Sequence, residues 1–231
     1  MNQVVTEGII LSRTNYGEAD RILTLLTPEH GKLRLLAKGV RRVRSKLAGG
    51  IELFSVSTIT FVRGRGELGT LVSTRLVKHY RHIVEDLDRT MLGYELIKRL
   101  NKNTEDHPEA AYFDLLQQVF EALDDPEVSI PIIRFWFAAQ LLRIGGHTPN
   151  LQSDTTGQKL STGQTYSFDF ESTSLRARDG GDLGANHIKF LRLSFGETPV
   201  RLLAHVQGSA RLIDSLSPIM ATLAQNSLAH W

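Results

Sequence analysis

The chain has 231 residues, 41% of them hydrophobic, and no cysteine, which is enough to bury a full core in one large or two modest domains and excludes disulfides, thiolate metal sites and thiol nucleophiles. Its net charge of +2 hides an asymmetry, because residues 1–82 carry 14 Lys or Arg against 6 Asp or Glu while residues 83–231 carry 13 against 19. A half suited to a polyanion therefore precedes a half with another task.

The opening MNQVVTEGII has neither the basic start nor the uninterrupted apolar core of a signal peptide, and no apolar run is long enough to span a bilayer, so a cytoplasmic protein is expected. Up to about Tyr80 the chain consists of short β-rich runs: Val4 to Ser12, Ile22 to Leu26, Leu33 to Ala37, Ser55 to Val62 and Thr70 to His79. The breaks Asn15-Tyr16-Gly17, Glu29-His30-Gly31 and Gly64-Arg65-Gly66 are turn chemistry. Five strands with a longer link between the third and fourth predict an OB-fold barrel over residues 1–81, an SH3-like barrel being the alternative that periodicity leaves open.

From residue 82 a helical domain is expected to run to residue 231, because the period changes to about 3.6. Leu87, Met91, Tyr94, Ile97 and Leu100 form the apolar face of a first helix, and Tyr112, Leu115, Leu116, Val119 and Leu123 that of a second beginning after Pro108. A third, from Ser129 and Pro131 to Gly145-Gly146, is apolar on nearly every side, which predicts the buried centre of this domain. Residues 147–184 are polar and read as an irregular or short β insertion. Helical pattern returns at Ile188 to Phe195 and again from Leu202 to Leu216, where Pro218 is expected to break it before a last helix ending near Trp231. The fold class is therefore α+β.

Three motifs compete for function. Gly64-Arg65-Gly66-Glu67-Leu68-Gly69 satisfies G-x-G-x-x-G, but the β-branched Thr70-Leu71-Val72-Ser73-Thr74 follows where a dinucleotide site needs a helix, so a hairpin turn is the better reading. His79 and His82 stand at helical spacing without a third ligand, and no Ser-His-acid arrangement or phosphate-binding loop is visible, so neither a metal, a cofactor nor catalysis is expected. The third is the densest charge feature: Lys32, Arg34, Lys38, Arg41, Arg42, Arg44 and Lys46, with no acidic residue from 31 to 51. On and after strands of a barrel such cations make a groove for a phosphate backbone, which Arg63, Arg65, Arg75 and Lys78 could extend. Only Tyr16, Phe54, Phe61 and Tyr80 could stack bases there, so phosphate contacts should dominate, with weak sequence preference and steep salt dependence.

A family resemblance rests on several spaced segments. Thr6-Glu7-Gly8-Ile9-Ile10-Leu11, Tyr16-Gly17-Glu18-Ala19-Asp20-Arg21-Ile22-Leu23-Thr24-Leu25, His30-Gly31-Lys32, Ala37-Lys38-Gly39-Val40-Arg41-Arg42, Ser45-Lys46-Leu47 and Leu53-Phe54 resemble the bacterial RecO family. The resemblance implies a non-catalytic protein with an N-terminal OB-fold that binds single- and double-stranded DNA and anneals complementary strands. It also implies work with RecR, often with RecF, in placing RecA on strands coated by single-stranded DNA-binding protein. Many relatives carry a zinc ribbon after the third helix; here Ser153 and Thr156 stand at its first ligand pair, so the insertion is expected to fold without metal. The basic C-terminal ending of many relatives is absent from this sequence. The resemblance further suggests a dock for the acidic, apolar-ended tail of single-stranded DNA-binding protein, for which Arg134, Trp136 and Arg143, beside Phe135, are the candidates. Two rivals remain: an RNA-binding OB protein, and a nuclease with carboxylate-held metal, against which stands the lack of acids from 31 to 51.

Overall fold

The structure is a computed structural model and describes residues 3–64, 66–104, 110–228 and 231. It is α+β and divides into two compact units, 1–125 and 126–231.

In the first unit, alternation of side chains builds the barrel. Strands β1 (Gln3–Tyr16), β2 (Asp20–Thr27), β3 (Gly31–Ala37), β4 (Ser55–Val62) and β5 (Leu68–His79) close in the order β1-β2-β3-β5-β4. All neighbouring pairs are antiparallel except β3 with β5, where Arg34 lies opposite Leu68 and Leu36 opposite Thr70. This is the OB-fold layout. Every second residue faces inward, so Leu23 and Leu25 of β2, Leu35 and Ala37 of β3, Ile59 and Phe61 of β4 and Leu71 of β5 share one core. The outward row of β2 and β3 consequently holds Ile22, Thr24, Arg34 and Leu36, and Thr24 pairs with Arg34. The glycine motif joins β4 to β5 as a hairpin, Val62 pairing with Thr70, as its turn reading requires.

Helices α1 (His82–Glu85), α2 (Leu87–Asn103) and α3 (Ala110–Leu123) complete this unit. The buried face of α2 is only partly the one expected: Ile97 and Leu100 are on it, but its N-terminal half is turned. Leu92, Leu96, Ile97 and Leu100 are buried, whereas Leu87, Met91 and Tyr94 are exposed. The reason is Gly93: a Cβ there would stand 2.5 Å from Phe54 Cε1, so its absence lets the Phe54 ring lie against α2 and draws in that side. Phe54 also meets Phe120 edge-on, and Phe120 meets Tyr80 in the same way, with centroids 5.5 Å apart in both pairs. Of the expected α3 stripe, Leu115, Leu116, Val119 and Leu123 are buried and Tyr112 is half-buried; Pro108 lies outside the described residues.

The second unit is centred on α4 (Ile130–Ile144), which buries ten side chains including Phe135, Trp136 and Phe137. Around it are α5 (Ala185–Phe195), α6 (Val200–Ala204) and α7 (Ser209–Ser227). Pro218 does not end a helix: it lies inside α7. The buried stripe Ile213, Leu216, Met220, Leu223 continues across it, and the carbonyl deprived of a donor belongs to exposed Asp214, where water can serve. The break falls instead at Gly208, whose φ of 76° is left-handed. Among the described residues no helix is long and apolar enough to cross a membrane.

The insertion is a three-stranded sheet of β6 (Asn150–Asp154), β7 (Tyr166–Asp169) and β8 (Ser174–Ala177) in the order β6-β8-β7. A zinc ion does not fit its residues. Ser153 and Thr156 offer only hydroxyls, which cannot stand in for thiolates, and no group of three or more His, Asp or Glu able to hold a metal occurs among the described residues. A carboxylate organises the first turn instead. Asp154 Oδ1 accepts from Thr156 N (2.8 Å), Thr156 Oγ1 (2.7 Å) and Gln158 N (3.0 Å), and the Thr156 hydroxyl, helped by these amides, holds its carboxyl below the usual range.

A second aspartate ties the β7–β8 turn, Asp169 accepting from Glu171 N and Ser172 N while pairing with Arg176. The Arg176 guanidinium, and after it the Ser172 amide, bring the Asp169 carboxyl down to about 2. A pKa depressed in the folded state stabilises the turn above the ordinary aspartate range near ~4, and that contribution fades as pH falls toward the folded value. The Asp169 carboxyl should therefore titrate by NMR near the lower value in the parent and move up in Arg176→Ala. An ordinary midpoint in the parent would show that this pairing does not form in solution.

Candidate nucleic-acid interface

The strongest cation cluster is a loop that the barrel holds in place. After β3 the chain turns at Gly39, whose N–H donates to Asp20 Oδ1 at 2.7 Å, and Arg41 N donates to Ala19 O at 2.9 Å. The Arg41 guanidinium reaches Gly17 O at 3.4 Å. Val40 is buried in the barrel core and Leu47 packs against it, while Thr74 Oγ1 donates to Leu47 O. With backbone and apolar anchors fixed, Lys38, Arg41, Arg42, Arg44 and Lys46 are left exposed around a fully exposed Val43. The one carboxylate at this turn that the loop touches, Asp20, is occupied by the Gly39 amide. The result is a positive surface whose geometry the fold determines.

Tyr16 ends β1 on the same turn and is 54% exposed, whereas Phe54, Phe61 and Tyr80 are buried. Of the four aromatics considered for stacking, only Tyr16 is free to do it. This surface therefore offers charge far more than stacking.

The remaining cations divide. Arg34, on the outward row of β3, is exposed, as is Arg63 at the end of β4, where its guanidinium lies 3.4 Å from His30 Nδ1. Both line a groove of about 620 Å³ between β3 and the β4–β5 turn. Lys32 lines it too, but its Nζ donates to the carbonyls of Asn101 (3.1 Å) and Thr104 (2.6 Å), capping the C-terminus of α2. Arg65 lies outside the described residues. Arg75 is exposed on β5, and Lys78 pairs with Glu121 at 2.9 Å. His82 is used locally, its backbone N–H and Nδ1 meeting Asp124 Oδ1 at 2.8 and 3.3 Å.

In the second unit, Trp136 is buried and its Nε1 donates to Thr198 O at 3.0 Å. Phe135 is also buried, packed on Phe190. Arg134 is exposed on α4, and half-buried Arg143 donates from Nε to Gln140 Oε1 at 3.0 Å. Gln140 in turn donates to Ser194 O and Gly196 O at the end of α5. Sequence reading missed the roles of Asp20, Lys32 and Gln140, because each acts on a backbone group distant in the chain, and it missed Asp154 although its turn is local.

Comparison with known proteins accounts for both units. Residues 1–80 match the family profile described as Recombination protein O N terminal, and residues 85–226 match Recombination protein O C terminal. The chain is similar to a DNA repair protein RecO of Dehalococcoides mccartyi, at 29% identity over 194 residues, 81% of this chain and 76% of the relative. It is similar also to those of Bacillus pumilus, 35% identical over 158 residues (68% and 61%), and Halalkalibacterium halodurans, 32% over 149 (63% and 57%). In the last two, the match spans less than two thirds of the relative's length.

Proposed function

Since the chain belongs to the RecO family, we propose that it is a non-catalytic DNA-binding recombination mediator of DNA repair. It anneals complementary strands and helps to load RecA onto single strands coated by single-stranded DNA-binding protein. The observation that carries this reading is the anchored loop Lys38–Lys46, which presents five exposed cations on an OB barrel without a neighbouring free carboxylate in its own span. Such a surface neutralises phosphates and reads little sequence. RecR, and RecF where it takes part, are the proposed partners, together with the tail of single-stranded DNA-binding protein. For that tail Arg134 and Arg143 offer charge, while Trp136 acts only by supporting α4 from within the core.

Titration of matched DNA and RNA oligonucleotides across a salt series tests the reading. DNA of unrelated sequences should bind alike, with affinity falling steeply as salt rises. A decisive preference for RNA would favour an RNA-binding OB protein, and salt-independent binding would remove the phosphate contacts from the account.

A further inference from the structure

The row that α2 turns away from the barrel is uncovered among the described residues. Leu87, Met91 and Tyr94 are 75%, 61% and 48% exposed, and their spacing aligns them along one side of the helix. Exposed apolar residues are ordinary when scattered; a contiguous row of them marks a contact surface. Tyr94 is already oriented, its ring meeting Phe54 edge-on with centroids 5.2 Å apart. An aromatic anchor therefore stands in the open with little freedom left to lose.

The charges beside this row are ordered by sign. Lys98 and then Lys102 continue it from Tyr94 toward the C-terminus, Asp88 flanks Leu87 in the first turn, and all three are exposed. The other charged groups of α2 are engaged: Glu95 pairs with Arg99 at 2.9 Å, and Arg89 donates to the carbonyls of Ala122, Leu123 and Asp125. Among the described residues, Asp88, Lys98 and Lys102 take part in no ion pair. A row with an acid at one end and bases at the other complements itself when reversed. In an antiparallel pair of α2 helices, a two-fold axis between Met91 and Tyr94 sets Met91 of each copy against Tyr94 of the other. The same register brings Asp88 of each copy beside Lys98 of the other, and lays Leu87 on the aliphatic stem of that lysine.

We propose that α2 is a self-association surface, on which a second copy of this chain docks antiparallel through Leu87, Met91 and Tyr94, with two Asp88–Lys98 ion pairs closing the contact. Three apolar residues from each copy make a small interface of the transient class. Copies therefore separate when dilute and meet when they are held close together. DNA supplies that closeness, a consequence that rests on the DNA-binding reading above, and the pair then brings two Lys38–Lys46 loops to one annealing event.

Sedimentation velocity without DNA, over about 1 to 200 µM chain, tests the contact, and the parent should pass from monomer toward dimer within that range. Asp88→Lys and Lys98→Asp each oppose like charges twice across the two-fold axis. Each alone should weaken association about tenfold or more, with a thermal midpoint close to that of the parent, since both positions are exposed. An equimolar mixture of the two variants should recover association, because in the mixed pair every lysine again faces an aspartate. A parent that stays monomeric throughout would give the row to a different protein or to none, and would overturn the proposal. So would variants that associate like the parent, or a mixture that associates no better than either variant alone. Because no DNA is present, none of these outcomes touches the DNA-binding reading, which the salt series tests separately.

Discussion

Reversing charge at Arg41, Arg42 and Lys46 together should weaken DNA binding by about a hundredfold or more near 0.1 M salt, while the thermal midpoint stays within a few degrees of the parent. The three side chains are exposed, and the loop is fixed by groups that the substitutions leave in place: the Gly39 and Arg41 amides, Val40 and Leu47. Only the long Arg41 guanidinium contact with Gly17 O, at 3.4 Å, is lost. Each phosphate contact adds about 0.7 to the log–log salt slope for single strands and about 0.9 for duplex. The slope should thus flatten by about 2 to 3 in the variant. Lys32→Ala is the control. Its ammonium caps α2, so this variant should lose stability, by about 1–3 kcal/mol for hydrogen bonds from a charged group, with little change in slope. An unchanged slope in the triple variant would take the loop out of the DNA site.

Trp136→Ala should destabilise the protein by about 3–5 kcal/mol, the range for truncating a large core aromatic. The side chain is 2% exposed, and its loss also orphans the Thr198 carbonyl that accepts from Nε1. Trp136→Phe keeps most of the volume and loses only that bond, so a smaller loss of about 1–3 kcal/mol is expected. Denaturant unfolding followed by circular dichroism measures both. A loss below about 1 kcal/mol in the alanine variant would mean that this side chain is not part of the core. Impaired partner binding in Trp136→Ala would then accompany unfolding.

The barrel was legible because its signals are local. Period-two alternation in Ile22 to Leu26 and Leu33 to Ala37, with turn residues between them, leaves one way to bury Leu23, Leu25 and Leu35 together. The glycine motif read correctly as a hairpin from the β-branched residues after it. What sequence concealed depends on groups far apart in the chain. The α2 face turned on Gly93 admitting Phe54, and Lys32, expected among the phosphate-binding cations, caps carbonyls about 70 residues away instead. Pro218 was overruled by the stripe packed on either side of it, since burial of Ile213, Leu216 and Met220 outweighs one missing bond on an exposed face. For the insertion a usable signal was present: Asp154-Thr155-Thr156-Gly157 is a side-chain-capped turn pattern.

If an anchored basic face on the barrel brings complementary strands together, strand annealing should depend on it. Complementary oligonucleotides with a fluorophore and a quencher are coated with single-stranded DNA-binding protein and mixed with the parent chain at low and at raised salt. Annealing should be much faster than without the chain at low salt, slow sharply as salt rises, and return to the unassisted rate with the Arg41, Arg42 and Lys46 charge-reversal variant. Annealing at the unassisted rate with a parent protein that still binds each strand would mean that the basic face binds DNA without pairing it.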